Sequence, residues 1–127
     1  MTDSAEVIRS FFATWPRSDV DELVGYFSDE AVYTDGPRGT HRGIDAIRAE
    51  FESTTQLVPS TTVDVKNLVV DGGTVMVERV DIFEMQGKTF EAEICGVFEI
   101  DDGLITRWRD YYDMRSLEER IAAALGG

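Results

Sequence analysis

The hydrophobic period of this 127-residue chain changes once, near residue 61, and that change limits the folds open to it. Upstream, apolar residues recur at the spacing of one helix face; downstream they alternate with polar ones, as side chains on opposite faces of a strand must. Helices followed by strands joined through tight turns predict an α+β domain, with helices covering one face of a curved, mainly antiparallel sheet. The length is that of one domain, expected to occupy 1–127.

In the helical half, Val7, Ile8, Phe11, Phe12 and Trp15 mark one buried face, with Asp3 or Ser4 as N-cap and Pro16 as the stop. Ser18, with Asp21 three residues on, opens a second helical segment carrying Leu23, Val24 and Phe27. "TDGPRGTHRG" reads as a turn region, after which Ile44, Ile47 and Phe51 mark a third helix. Four long strands follow as a meander, turned by Asp71-Gly72-Gly73, Gln86-Gly87 and Asp101-Asp102-Gly103. "SLEERIAAALGG" reads as a terminal helix ended by glycines.

A formal net charge of −13 argues against nucleic acid and anionic membrane surfaces, both of which repel such a protein. No basic segment leads into an apolar run and no window approaches a membrane span, so the expectation is a soluble, cytoplasmic protein. With Cys95 the only cysteine and His41 the only histidine, neither an internal disulfide nor a zinc site is expected, and no metal or other cofactor is called for. His41 reads as a structural hydrogen bonder, and Cys95 as an outward residue beside Arg109.

One strand breaks its own pattern. In "VMVERVDIFEM", residues 75–85, the face carrying Val75, Val77 and Phe83 also carries Arg79 and Asp81. If Gln86-Gly87 sets Met85 against Lys88, Arg79 faces Ile94 and Asp81 faces Ala92, within an otherwise apolar wall. A three-residue loop at 101–103 would then set Ile94 against Asp110, bringing this second aspartate onto the Arg79 wall with Ile94 between them. A two-residue loop at 101–102 would turn Asp110 to the opposite face instead.

An unpaired buried charge costs several kcal/mol, so one arginine between two aspartates is a sensible grouping, and its five donors can serve both. The group keeps one negative charge if both acids ionise; protonating one leaves a neutral acid beside a carboxylate, the pairing that general acid–base chemistry needs. The competing reading is a buried ion-pair network without chemistry. Trp108 and Tyr112 share the Asp110 face and, with Ile94 and Phe83, are candidates to line a pocket; packing against the first helix is the alternative for the two aromatics. Phe11, Phe12 and Trp15 read as core.

"ERVDIF" followed by "WRDYYD" resembles the limonene-1,2-epoxide hydrolase family, within the nuclear-transport-factor-2-like (SnoaL-like) superfamily of cone-shaped α+β domains. The resemblance implies one-step addition of water to a small apolar epoxide, without metal or covalent intermediate. It implies Asp110 as the base that activates water, Asp81 as the acid that protonates the epoxide oxygen, and Arg79 between them. The family holds the water with a tyrosine and, two residues on, an asparagine; "VYTDG" supplies Tyr33 and Asp35. Asp35 departs from the pattern, because an ionised carboxylate accepts hydrogen bonds but donates none. Two rival readings follow: a ketosteroid-isomerase-like or polyketide-cyclase-like enzyme on the same fold, or a non-catalytic ligand-binding or dimerisation module.

On the other face, Val80, Ile82, Cys95 and Val97 form an apolar centre ringed by Glu78, Glu84, Glu93, Arg107 and Arg109. An apolar centre with a polar rim predicts a homodimer through the outer sheet face.

Overall fold

The computed structural model describes residues 3–126. Helix α1 (Ser4–Thr14) starts at Asp3, whose side chain accepts from the Ala5 amide, and buries Val7, Ile8, Phe11 and Phe12 on one face. A 3-10 turn at Trp15–Arg17 leads to Ser18 in the left-handed region, φ 53°. That backbone removes Ser18 from the capping role. Asp19 takes it instead, accepting from the Glu22 amide to open the short helix α2 (Val20–Val24).

Six strands form one sheet, two more than the alternation of the sequence suggests. They are β1 (Phe27–Asp35), β2 (Thr40–Arg42), β3 (Ser60–Asp71), β4 (Thr74–Met85), β5 (Lys88–Asp101) and β6 (Leu104–Tyr111), in the order β2-β1-β6-β5-β4-β3. Helix α3 (Ile44–Leu57) follows β2, and α4 (Met114–Gly126) follows β6; Gly127, the last of the terminal glycines, lies outside the described residues. Phe27 belongs to β1, not to the second helix, and part of the predicted turn region is β2. The β1 pairing with β6 is the parallel one, so β1 closes onto a strand far along the chain.

The β4–β5 register is the one expected: Met85 with Lys88, Asp81 with Ala92, Arg79 with Ile94. The β5–β6 register is not. The loop is the two-residue Asp102-Gly103, both at positive φ (53° and 78°), in the manner of a hairpin turn that follows the strand twist. One residue later the pairing slips again: Ile100 faces Ile105, but Glu99 faces Arg107, leaving Thr106 as a bulge. Two single-residue slips restore the side-chain parity. Asp110 therefore keeps the inward face but stands opposite Gly96 instead of Ile94, and Cys95 faces Tyr111 instead of Arg109.

The core lies between α1, α3 and the concave face of the sheet. Phe11 meets Phe27, Phe98 and Trp108 edge to face, and Phe98 and Tyr33 stack on Trp108 with centroids 5.3 and 3.9 Å away. These contacts bury Ile8, Ile47, Val75, Val77 and Ile105 completely, the main source of stability in a domain of this size. The aromatic layer ends at Arg79, and beyond it the concave face is hollow.

Where β6 stops at Tyr111, β5 is left with an open edge. Helix α4 covers it: the Arg120 guanidinium donates to the Glu91 carbonyl at 3.0 Å and pairs with Glu93 at 2.9 Å. None of the α4 side chains is fully buried. Among the described residues no helix is long and apolar enough to cross a membrane.

Candidate active site

Arg79 comes from the middle of β4, where the strand runs under α1. Its guanidinium lies 5.3 Å from the Phe12 ring centre and 5.5 Å from that of Trp15, an aromatic platform that shields the cation from water. Asp81, two residues along the same strand, receives Nε at 2.9 Å and Nη2 at 3.3 Å. Asp110, two strands away, receives Nη1 at 3.0 Å and Nη2 at 2.7 Å, together with the Trp108 indole N–H at 2.7 Å. All three members of the cluster are essentially sealed from solvent, at 1–3% exposure.

The two aspartates meet one guanidinium because Gly96 stands between their strands. A Cβ at that position would lie 2.6 Å from Arg79 Nη1 and 2.8 Å from Asp110 Oδ1. The bulge at Thr106 places this glycine, and not Ile94, in the gap.

The two acids are held unequally. Asp110 accepts three N–H donors and Asp81 two. Burial pushes the Asp81 carboxyl above its ordinary value, and the opposing pull of Arg79 does not cancel it. Burial alone would lower the Arg79 pKa, but Asp110 and Asp81 outweigh it, so the guanidinium stays charged.

Above the cluster a cavity of about 140 Å³ opens to solvent. A closed apolar hole of roughly this volume takes up a benzene ring, which sets the scale of the ligand body it can enclose. Every sequence-predicted site residue lines it: Tyr33, Asp35, Arg79, Asp81, Phe83, Ile94, Trp108, Asp110 and Tyr112. Tyr33 and Asp35 get there through β1, level with Trp108 and Asp110 on β6. Burial raises the Tyr33 pKa well above the usual phenol range, so its hydroxyl remains a hydrogen-bond donor. The Asp35 carboxyl, also raised by burial, accepts from Tyr112 Oη at 3.0 Å and lies 3.8 Å from Arg38.

Three residues beyond that set contribute to the site, and Trp108 makes a contact of its own. Gly96 provides the clearance described above. Trp15, assigned to the core, is half-buried and lines the cavity, with its indole N–H buried and unpartnered. Leu117 of α4 lines this cavity and, like Tyr112, also a second one of about 180 Å³ beside Arg120. Trp108 donates to Asp110, a contact that the "WRD" spacing allows, because residues i and i+2 share a strand face. His41 lies outside the cluster, 3.3 Å from Glu50 and tilted against the Tyr33 ring. Among the described residues no group of three or more His, Cys, Asp or Glu side chains is placed to hold a metal ion.

Residues 8–108 match the family model of the SnoaL-like domain. The chain is 29% identical over 123 residues to epoxide hydrolase EphG of Mycobacterium tuberculosis, covering 93% of this chain and 78% of that one. The structure of an M. tuberculosis LEH-like epoxide hydrolase superposes with a TM-score of 0.85 at 26% identity, over 97% of this chain and 92% of the other. SalBIII, described as an epoxide hydrolase/cyclase-like enzyme in pyran ring formation, shares the fold at a TM-score of 0.78 and 21% identity, over 88% and 92% of the two chains. A matched stretch that runs from the first helix into the last strand, with the same architecture in the structural relatives, makes this chain a member of the SnoaL-like family, of the nuclear-transport-factor-2-like fold.

Proposed function

We propose that this protein is an epoxide hydrolase that adds water to a small, largely apolar epoxide in one step. The observation that carries the reading is the pair of sealed aspartates on one arginine, held unequally, at the floor of an apolar cavity. Likeness in sequence and in structure to epoxide hydrolase from M. tuberculosis supports it.

In this reading Asp81, whose carboxyl burial pushes above its ordinary value, is the acid, and Asp110, which accepts three N–H donors, is the base. The hydrocarbon lies along Ile94, Phe83 and Trp108, with the ring oxygen toward Asp81. Tyr33 and Asp35 hold a water against Asp110. As the water oxygen bonds to one epoxide carbon, the C–O bond to that carbon breaks; Asp110 takes a proton from the water and Asp81 gives its proton to the leaving oxygen. The product is a neutral diol, and the cluster has exchanged one proton between its two acids, which solvent restores. Push and pull together avoid both a free alkoxide and a free hydroxide, each partner contributing roughly 10²- to 10⁴-fold. The total charge of the cluster is the same before and after, because Asp81 loses a proton as Asp110 gains one and Arg79 stays charged.

The test is incubation of the protein with cyclohexene oxide, styrene oxide and limonene oxide in ¹⁸O-water. Diol carrying the label from the first turnover is expected, and no diol from any of the three sinks the proposal. A second reading, abstraction of a carbon-bound proton as in an isomerase or cyclase, is favoured by one feature: Asp35 is the cavity aspartate not bonded to Arg79. Exchange of substrate protons into ²H₂O without epoxide opening would select it.

The outer sheet face carries half-buried Val80, Ile82 and Val97 beside exposed Met76 and Tyr111. We propose that this face pairs with a second copy of the chain.

A further inference from the structure

We propose that Tyr112 is a positioning residue: its hydrogen bond to Asp35 gives that carboxyl the two-sided donor and acceptor character of an amide, so that Asp35 holds the attacking water as a neutral acid. This rests on the water-adding reading above and explains how a carboxyl can stand where an amide is expected.

Asp35 ends β1 level with Asp110 of β6, one strand spacing of about 4.8 Å away. Two ionised carboxylates on adjacent strands of a buried wall repel each other, and Asp110 is the one stabilised by Arg79 and Trp108. Asp35 lacks such help. Arg38 is mostly exposed and stands 3.8 Å from Oδ2, beyond hydrogen-bond range. The groups facing Asp35 are Tyr112 after β6, Arg38 in the turn, Asp110 on β6 and Glu50 on α3; burial, Asp110 and Glu50 favour the neutral form, while Tyr112 and Arg38 oppose it.

Tyr112 decides which oxygen carries the proton. Its hydroxyl is 3.0 Å from Asp35 Oδ1 and 3.4 Å from the Asp35 carbonyl oxygen. Burial and then the neighbouring Asp35 raise the phenol pKa above its ordinary value, so this O–H stays a donor. Oδ1 is thereby committed to accepting, and a proton on the carboxyl must sit on Oδ2. An amide in the same pose would present an oxygen and an N–H; the neutral acid presents an oxygen and an O–H.

The seat of the Tyr112 ring is built into the turn. Gly36 adopts φ +46°, and a Cβ there would lie 2.7 Å from Tyr112 Cε1. Only glycine lets the ring lie close enough for its hydroxyl to reach Asp35.

The experiment is a ¹³C NMR titration of the full chain labelled at aspartate side-chain carboxyls, on the wild type, D35N and Y112F, with thermal melts to show that each variant is folded. The resonance missing from D35N should titrate above the ordinary aspartate range in the wild type and higher still in Y112F, which has lost a donor that favours the anion. A carboxyl already ionised at the pH of turnover, or no movement in Y112F, overturns the proposal, and neither outcome depends on the substrate. In diol formation, Y112F should lower kcat roughly three- to tenfold, the worth of one hydrogen bond; unchanged turnover overturns the positioning role. If the wild type opens no epoxide, the hydrolase reading fails and the titration still judges the state of Asp35.

Discussion

Gly96→Ala sets two well-characterised effects against each other, and the geometry says which wins. Gly96 lies inside β5, a strand, at a backbone conformation open to any residue. On propensity alone, alanine should stabilise such a position by about 0.5–1 kcal/mol. The added methyl, however, would sit 2.6 Å from Arg79 Nη1, 2.8 Å from Asp110 Oδ1 and 3.3 Å from Phe98 Cε2. The first two are far inside contact distance, and neither atom can retreat easily, because both side chains are sealed and hydrogen-bonded. Overpacking costs about 1–3 kcal/mol, and weakening one hydrogen bond between charged groups adds about 1.5–3 kcal/mol. The net expectation is a loss of about 1.5–5.5 kcal/mol, read by urea denaturation, with a fall in Tm on the order of 10 °C. Turnover should fall more than stability alone explains, because Asp110, the proposed base, is displaced. A Gly96→Ala protein as stable and as active as the wild type would refute the reasoning: the arginine and aspartate would then have slack, and the glycine would not be what lets them meet.

Asp110→Asn and Asp81→Asn should each lower diol formation at least about 10²-fold while leaving the far-ultraviolet circular dichroism unchanged, the loss expected when a general base or acid is removed. Asp35→Asn should change the pH dependence of stability. The folded-state pKa of Asp35 is raised by burial, so the wild type has its full Asp35 contribution below the unfolded value of about 3.9 and loses it as pH rises through the folded one. Urea melts should therefore show the variant gaining on the wild type from pH 4 upward, then levelling. Leu117→Ala should enlarge the cavity that this residue lines, improving kcat/KM for epoxides with longer side chains while leaving cyclohexene oxide little affected. Val80→Glu should convert a dimer to a monomer in sedimentation equilibrium.

What the sequence reveals and what it hides divide along the range of the interactions. The β4–β5 hairpin is legible to the residue, because Gln86-Gly87 is a local signal and everything behind it follows by counting. The next hairpin is not. Asp101-Asp102-Gly103 is compatible with two loop lengths, and the compensating bulge at Thr106 leaves no trace in the hydrophobic alternation. Asp110 was assigned to the correct face through a register wrong by two residues, since parity survives such an error while neighbours do not. That is why counting sets Gly96 on the inward wall opposite Trp108 and hides its place beside Asp110. Strand β1 was missed for a related reason: Asp29 and Glu30 interrupt its alternation, and its parallel partner β6 lies more than seventy residues away. The nine candidate residues nevertheless share one cavity, because charged residues among apolar ones are a signal that depends on face alone.

A buried arginine with two aspartates is a poor device for stability. Removing such charges from water costs several kcal/mol per ion, and well-packed apolar residues of equal volume often do as well or better. Yet the surroundings work to keep this cluster intact. Phe12 and Trp15 cover the cation, Trp108 adds a third donor to one acid, and Gly96 gives up a side chain so that the strands' charges can meet. None of these features is needed if the aim is only to hold the sheet to its helices. They leave the two acids in unlike surroundings: Asp110 accepts a third donor from Trp108, while burial with fewer donors pushes the Asp81 carboxyl above its ordinary value. Two chemically identical carboxyls kept in unlike surroundings, at a cost in folding free energy, are what the proton transfer proposed above would use.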